Sequence, residues 1–284
     1  MAQSMRLTPD APCSIFSQVC STPMPSALMM PIPVMLNCSI VNIYCAKFDL
    51  INICMGEYII NFLIVWHISA VIISIYIHRS VAHGQIKFHP VIEHVFRFWM
   101  WAVFAFNWKG WNKHWAVHHR KHHRYSDQKQ DPHSPMHQTF AELKNTTPAL
   151  HGVTEEDYAL YGQGIEAYSD RAERFYNNNQ FVGMAIHVLL QSVLFGIPGA
   201  CVAITYCLFT KTFITFAGKW VIHKIGFTYA QQSKTDNSRI VFPISLMLGG
   251  EELHTNHHNN PVKINFAHRW FEFDIGYWYC KILS

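Results

Sequence analysis

The sequence predicts an all-α integral membrane protein with about four transmembrane helices and a cytosolic helical cap that holds a histidine-rich metal centre. Composition is the first observation: half of the 284 residues are hydrophobic and 14% are charged, against about 25% in typical soluble proteins. Long apolar runs are the second observation, and four clusters of histidine are the third. The net charge of +4 is too small to indicate a nucleic-acid-binding protein.

The apolar runs predict the spans in order. Residues 58–77 contain no formally charged side chain, and a helix of that length rises about 30 Å, enough to cross a hydrocarbon core. Residues 181–222 are too long for one span, and a Pro-Gly pair predicts a helical hairpin with its turn at residues 197–199. Residues 27–46 are a weaker candidate, interrupted by two prolines and an asparagine. Residues 1–50 therefore form an atypical N-terminal segment with a possible first span.

The placement of lysine and arginine orients the spans. Residues 78–180 carry twelve of these cations and the tail after His223 carries six, whereas residues 1–77 carry two. Positive charge accumulates on the cytoplasmic side of a membrane protein. We therefore expect a multi-pass protein whose histidine clusters face the cytoplasm, in the inner membrane of a bacterium or the endoplasmic reticulum of a eukaryote.

The histidine clusters are HRSVAH, HRKHH, a lone histidine that ends an apolar run, and HTNHH. Imidazole binds first-row transition metals without needing a depressed pKa. Histidines at i, i+3 and i+4 share one helix face, but adjacent histidines lie about 100° apart and serve two neighbouring ions more readily than one. The sequence therefore predicts a two-metal site. Its candidate ligands are His78, His83, His119, His122, His123, His223, His254, His257 and His258.

Residue types narrow the identity of the metal. Structural zinc sites usually use cysteine, and the eight cysteines form no C-x-x-C pair. Soluble di-iron bundles use paired Glu-x-x-His motifs, and here only Glu251 and Glu252 closely precede a ligand histidine, His254. An all-histidine iron centre fits best, and copper stays open. His78 and His83 lie about 140° apart on an α-helix, so we expect them to straddle a helix end.

Longer segments around these clusters resemble the three histidine boxes of the membrane fatty-acid desaturases. They are HRSVAH, WAVHHRKHHRYSDQKQDPHSP and GGEELHTNHHNNP, and the acyl-CoA Δ9 (stearoyl-CoA type) branch with its bacterial relatives is the nearest match. The flanks FHPVIEHVFRFWMW and RWFEFDIGYWY agree, and the resemblance covers roughly residues 55–284. It implies a fatty-acid desaturase domain at residues 51–284, in which all nine histidines bind two iron ions (Fe²⁺).

The reaction implied by the resemblance is oxygen-dependent desaturation of a long-chain saturated fatty acyl group to a cis-monounsaturated product, with acyl-CoA as carrier and Δ9 as position. The implied partners are a long-chain fatty acyl thioester or lipid, O₂ and the lipid bilayer. Because the chain contains no haem-binding HPGG motif, we expect a separate electron donor, either a ferredoxin or a b-type cytochrome with its reductase. A fatty-acid or alkane hydroxylase of the same superfamily is the nearest alternative. A membrane metal transporter, with ligands near the bilayer midplane, is an alternative from another class.

Residues beside the boxes are expected to orient the ligands through hydrogen bonds to imidazole, as is usual around metals. The candidates are Asp131, His133, Glu252, Asn256 and Lys219. Lys219 departs from the family, which usually has a water-holding asparagine four residues before the isolated histidine. A cation beside two irons is electrostatically awkward, so either its side chain turns away or the local alignment is shifted. A further departure is His118, which competes with His119 as a ligand.

Overall fold

The computed structural model is mostly helical. It describes residues 55–104, 111–144, 153–165, 168–229 and 233–284. The chain divides into two compact units, Met1–Ile59 and Ile60–Ser284, and the site described below lies in the second. The weaker span predicted at residues 27–46 lies outside the described residues.

The helices of the described ranges connect through irregular loops. They are α1 (Met55–Ala82), α2 (Pro90–Phe104), α3 (Trp111–Tyr125), α4 (Phe140–Lys144), α5 (Glu155–Tyr161), α6 (Arg171–Asn178), α7 (Gln180–Thr215), α8 (His254–Asn259) and α9 (Ile275–Leu283). A π-helical segment (Phe216–Val221) and a last turn (Ile222–Lys224) continue α7. Two short strands, β1 (Ile244–Ser245) and β2 (Phe273–Asp274), pair in parallel.

Two of the described helices are long and apolar enough to cross a membrane, Met55–Ala82 and Gln180–Thr210. The predicted total of four spans is not confirmed. The first of these helices contains the predicted span at residues 58–77. The second coincides with most of the apolar run in which the sequence predicts a hairpin.

The chain reverses direction inside α7, at Gly196. This glycine has a φ of 61°, a left-handed conformation that costs a residue without a Cβ little. A Cβ placed on Gly199 would lie 2.1 Å from the carbonyl oxygen of Gln191, whereas residues eight apart in a straight helix are about 12 Å apart. α7 is therefore a hairpin, and its turn begins one residue before the position predicted from the Pro-Gly pair.

Two stretches of π-helix lead into the histidine clusters. The last ten residues of α1, Ile73–Ala82, are π-helical, and Phe216–Val221 precedes the lone histidine, His223. In a π-helix the backbone bonds link i and i+5, and His83 N donates to His78 O at 3.0 Å. Residues five apart therefore lie on one face. The helix ends at Ala82 and His83 is its C-cap residue, so the expectation that His78 and His83 straddle a helix end is confirmed, while the looser π-helical winding is not predicted by the sequence.

A fully buried arginine joins the end of α1 to the C-terminal elements. Both oxygens of Asp274 accept from Arg79 Nη2, at 3.0 and 2.9 Å. The guanidinium also lies 3.7 Å from the centroid of the Phe266 ring. A Cβ on Gly250 or Gly276 would lie 2.6–2.7 Å from an Arg79 nitrogen, so the two glycines leave the space that this cation occupies.

Candidate metal centre

The nine predicted histidines come together in two groups. The first group contains His78, His83, His119, His123 and His257, and the second contains His122, His223, His254 and His258. Within each group one ring nitrogen of every member lies within 4.8 Å of the others. Adjacent histidines on α3 and α8 enter different groups because neighbouring side chains diverge by about 100° around a helix.

The Nε2 atoms converge on the centre of each group. In the first group His257 Nε2 lies 2.9 Å from His78 Nε2 and 3.0 Å from His123 Nε2. In the second group the Nε2 atoms of His223 and His254 are 3.2 Å apart. A neutral imidazole carries one N–H and one lone pair, so five converging nitrogens cannot all satisfy one another. A cation that accepts several lone pairs at once would satisfy them.

Carboxylates hold the opposite nitrogen, Nδ1, of four of these rings. The distances are 2.7 Å for His78 to Glu251, 2.7 Å for His122 to Asp131, 3.0 Å for His223 to Asp127 and 3.3 Å for His258 to Asp236. An ionised carboxylate only accepts hydrogen bonds, so Nδ1 carries the proton and donates. This tautomer leaves the Nε2 lone pair directed into the group, as in metal-bound histidines.

Burial keeps most of the rings neutral. Desolvation, followed by the charge of neighbouring imidazoles, lowers the pKa of five ligand candidates well below its usual value: His83, His119, His123, His254 and His257. Desolvation also lowers the pKa of His258 to about 4, although Asp236 opposes the shift. Burial also lowers the pKa of His122, but the hydrogen bond to Asp131 and the charges of Asp131, Asp127 and Asp236 together raise it above its usual value. Neutral imidazole is the form that binds metals.

The donor set therefore fits two transition-metal ions. Five nitrogens in one group and four in the other are within the ligand numbers that such ions accept, and imidazole suits iron, copper and zinc alike. The centre is formed by segments far apart in sequence: the end of α1, α3, the turn after α7, and α8. Their folding together is what turns short histidine runs into a site.

The residues predicted to orient the ligands have different surroundings. Asp131 accepts from His122, and the His133 ring stacks on His122 with centroids 4.0 Å apart. Asn256 donates to Phe266 O and to Glu272, both at 2.9 Å.

Two further predicted residues are Glu252, whose carboxylate binds backbone amides, and Lys219, whose charge acts on nearby imidazoles. Glu252 accepts from the backbone amides of Met247, Leu248 and Gly250. Lys219 lies close enough to His133 and His114 for its charge to contribute to the lowered pKa of each, after the larger effect of burial. The positive charge of Lys219 therefore acts on His133, whose ring stacks on His122 of the second group.

Two adjacent histidines on α3 have separate roles. His119 is a member of the first group, whereas His118 Nδ1 lies 2.9 Å from His133 Nδ1. His119 is therefore placed where it could bind a metal with the first group, and His118 contacts a neighbouring buried ring.

Three of the four carboxylates that hold the rings were not among the predicted site residues. Asp127, Asp236 and Glu251 all lie close to the boxes in sequence or to a ligand in space. Asp127 has a φ of 56°, which is unusual for a residue other than glycine. That conformation lets its carboxylate accept from His223 at 3.0 Å and from the Asn237 amide at 2.8 Å. Asp127 and Glu251 lie within the histidine-box segments, which is the signal that the sequence offers, whereas Asp236 lies outside them.

An apolar pocket opens next to the first histidine group. It has about 410 Å³ of empty space and lies between α1, the returning arm of α7 and the loop before α8. Trp66, Ile73, Tyr206 and Leu248 contribute to its wall. Glu251 is also part of the wall and contacts His78, so this glutamate connects the pocket to the metal centre.

Comparisons with known proteins show several distant similarities, and no family model matches the chain. A Delta-9 desaturase-like 4 protein of Arabidopsis thaliana is 24% identical over 226 residues, which cover 78% of this chain and 72% of the relative. The acyl-CoA 5-desaturase AL21 of Anemone leveillei is 24% identical over 73% of this chain and 62% of its own length. The sn-1 stearoyl-lipid 9-desaturase of Synechocystis sp. is 25% identical, with 75% and 64% coverage. These similarities support the desaturase family for this chain.

Proposed function

We propose that the protein is a membrane desaturase that introduces a cis double bond into a long-chain saturated fatty acyl group. The observation that carries this proposal is the convergence of nine imidazoles, seven buried and two half-buried, into two groups beside an apolar pocket. The names of the relatives support the same reaction, since each is a desaturase. They differ in carrier and position, and we propose Δ9 and acyl-CoA because the histidine boxes resemble that branch most.

Two iron ions bound by the two groups would supply the activation of O₂ that removal of hydrogen from a methylene pair requires. Overall, O₂ accepts two electrons and two protons from the methylene pair, two electrons from an external donor and two protons from solvent, and leaves as two molecules of water. The donor is a separate protein, either a ferredoxin or a b-type cytochrome with its reductase.

The protein's own residues would position the acyl chain and the ligands. The pocket wall excludes water and holds a methylene pair near the first group, which reduces the entropy lost at the reacting step. Glu251 holds His78 from the pocket side, and Asp131, Asp127 and Asp236 hold rings of the second group. Because these carboxylates fix the histidine rings, the nitrogens of both groups would keep one geometry before the substrate enters.

We propose a multi-pass membrane placement with the metal centre on the cytoplasmic side. Apolar side chains on both arms of α7 support it: Phe181, Val193, Ile197 and Leu208 are 68–82% exposed. An apolar surface of this extent is unusual on a soluble monomer and is typical of helices that face lipid.

Expression in a desaturase-deficient host tests the function. We expect new monounsaturated acyl chains, and mass spectrometry of derivatised lipids gives the position of the double bond. His257→Ala should abolish the product, because it removes a nitrogen from the first group, whereas His89→Ala is the matched control because that ring is exposed and outside both groups.

The same experiment distinguishes the alternatives. A hydroxy fatty acid without a new alkene would show a hydroxylase. Unchanged lipids together with metal uptake into vesicles would show a transporter. Normal alkene formation by His257→Ala would refute the ligand assignment.

A further inference from the structure

A second apolar surface lies near the C-terminal end of the described chain, on the segments around β1, β2 and α9. It consists of Ile244, Leu246, Met247, Phe273, Trp278 and Ile282, whose exposed fractions range from 39 to 74%. Ile244 and Phe273 are neighbours across the parallel bridge between β1 and β2. We call these six residues the C-terminal apolar surface.

The depth of a bilayer along the spans can be set from α7. Between Ile197 and Phe216 the returning arm rises about 29 Å, close to the thickness of a hydrocarbon core. The Trp66 ring packs edge-on against Phe213, with centroids 5.6 Å apart. Trp66 therefore lies near the boundary of the hydrocarbon core on the side of the metal centre, and in this placement the span of α1 ends there and not at residue 77, where the sequence predicts its end.

The C-terminal apolar surface is at this same level. Trp66 Nε1 donates to Met247 O at 2.8 Å. The next residue, His67, contacts Leu246 O at 3.0 Å and the Tyr279 hydroxyl at 3.2 Å. The first ligand histidine of α1 lies roughly 15–18 Å further along the helix. The apolar surface is thus beside the hydrocarbon boundary, while the metal centre is well beyond it.

The backbone around this surface has hydrogen-bond partners within the protein, as a segment in contact with hydrocarbon requires. The amides of Met247 and Leu248 donate to buried Glu252, at 2.7 and 2.6 Å. Ser245 Oγ donates to Phe273 O at 2.7 Å and accepts from Ile275 N at 2.8 Å. Buried side chains thus replace the water that an irregular loop normally uses.

Charge is also distributed as at a membrane surface. Residues 242–248 contain no charged side chain, and Lys281 is the one charged side chain in residues 275–284. Its ammonium lies 5.3 and 5.6 Å from the ring centroids of Tyr277 and Trp278. Tryptophan, tyrosine and lysine together are typical of the region between hydrocarbon and headgroups.

We propose that the C-terminal apolar surface, which includes side chains of α9, inserts into the lipid bilayer at the boundary nearest the metal centre. The inference rests on the membrane placement proposed above. It assigns lipid rather than a protein partner to these six side chains, and it gives buried Glu252 the role of satisfying the backbone of a lipid-facing loop.

Spin labels on the full chain in lipid vesicles test this inference. Single cysteines are introduced as Ile282→Cys on α9, Val193→Cys on α7 and Glu156→Cys on the exposed face of α5, after replacement of the eight native cysteines by alanine. Relaxation by O₂, which concentrates in hydrocarbon, is compared with relaxation by a water-soluble nickel chelate. We expect labels at 282 and 193 to prefer O₂, and the label at 156 to prefer the chelate.

Three other results of the spin-label experiment would each refute either the insertion of the C-terminal apolar surface or the membrane placement. Preference for O₂ at 193 with preference for the chelate at 282 would refute insertion of the surface and leave the membrane placement intact. Preference for the chelate at 193 would refute the membrane placement and the inference with it. An immobile label at 282 that neither agent reaches would show a protein contact, such as a second copy of the chain, and would also refute insertion.

Photolabelling of the unmodified protein gives a second test that needs no substitution. Vesicles contain lipids with a carbene precursor on the acyl chain, and labelled peptides are identified by mass spectrometry. We expect label in residues 242–248, 275–284 and 181–197, and none in residues 153–161. Label restricted to residues 181–197 would refute insertion of the C-terminal surface.

Discussion

Replacing Asp131 by asparagine should weaken metal binding without removing a ligand. Its buried carboxylate accepts three hydrogen bonds: from His122 Nδ1 at 2.7 Å, from Asp127 N at 2.8 Å and from His133 N at 2.9 Å. The first two end on one oxygen and the third on the other. An asparagine has one acceptor oxygen, so in either orientation its NH₂ group faces a buried N–H donor.

The size of the effect follows from this mismatch. A buried donor left without an acceptor costs about 1–3 kcal/mol. Loss of a hydrogen bond that orients a metal-bound histidine typically lowers metal affinity by about 10–100-fold, which corresponds to about 1.4–2.7 kcal/mol. We therefore expect Asp131→Asn to bind iron about 10–100-fold more weakly, with His122 free to rotate away from the second group.

Competition with a coloured ferrous chelator measures this affinity on the purified protein in detergent. Glu156→Gln is the matched control, because it makes the same chemical change on an exposed residue of α5. A melting curve recorded with each variant separates weaker binding from unfolding. Wild-type iron affinity in folded Asp131→Asn would refute the role given to this carboxylate.

Three further substitutions test the fold and the departure at residue 219. Asp274→Asn leaves the buried cation of Arg79 with only the more distant carboxylate of Glu251, at 3.7 Å, and should lower the free energy of unfolding by about 3–5 kcal/mol; an unchanged thermal midpoint would contradict this. Gly183→Ala places a Cβ 2.7 Å from Trp101 O, and overpacking of α2 against α7 should cost about 1–3 kcal/mol in the same assay, so a more stable variant would count against that packing. Lys219→Asn should preserve or raise desaturation, since it removes a cation near the second group; complete loss of product would show that this lysine has a necessary role.

The sequence predicts the convergence of the nine histidines well, because histidine is a rare residue and its clusters have a fixed spacing. Adjacent pairs such as His122 and His123 must diverge on a helix, and this alone predicts two groups. The Pro-Gly pair predicts the hairpin in α7 for a similar reason, because proline and glycine are the residues that interrupt helices most strongly. The reversal at Gly196 differs from the predicted turn by one residue.

The winding of the helix ends could not be predicted in this way. Hydrophobic periodicity does not distinguish ten residues of π-helix from α-helix within an apolar run, yet the difference places His78 and His83 on one face. Carboxylate partners are equally hidden, since Asp127 meets a histidine 96 residues away. Such contacts depend on tertiary packing, and acidic residues are too common for their position alone to identify them.

Glu251 and Glu252 are adjacent in sequence before α8, but their carboxylates lie in different environments. Glu251 faces the end of α1, where it accepts from His78 at 2.7 Å and from Ser74 at 2.6 Å. Glu252 faces the other way and binds the backbone of the loop that contains Met247. Because one carboxylate orients a metal ligand and the other fixes a loop at the proposed lipid boundary, a shift of this dipeptide would change both together. Under the proposed membrane placement, packing within the protein would set the distance between the metal centre and the membrane, as a fixed position of the proposed double bond in the acyl chain requires.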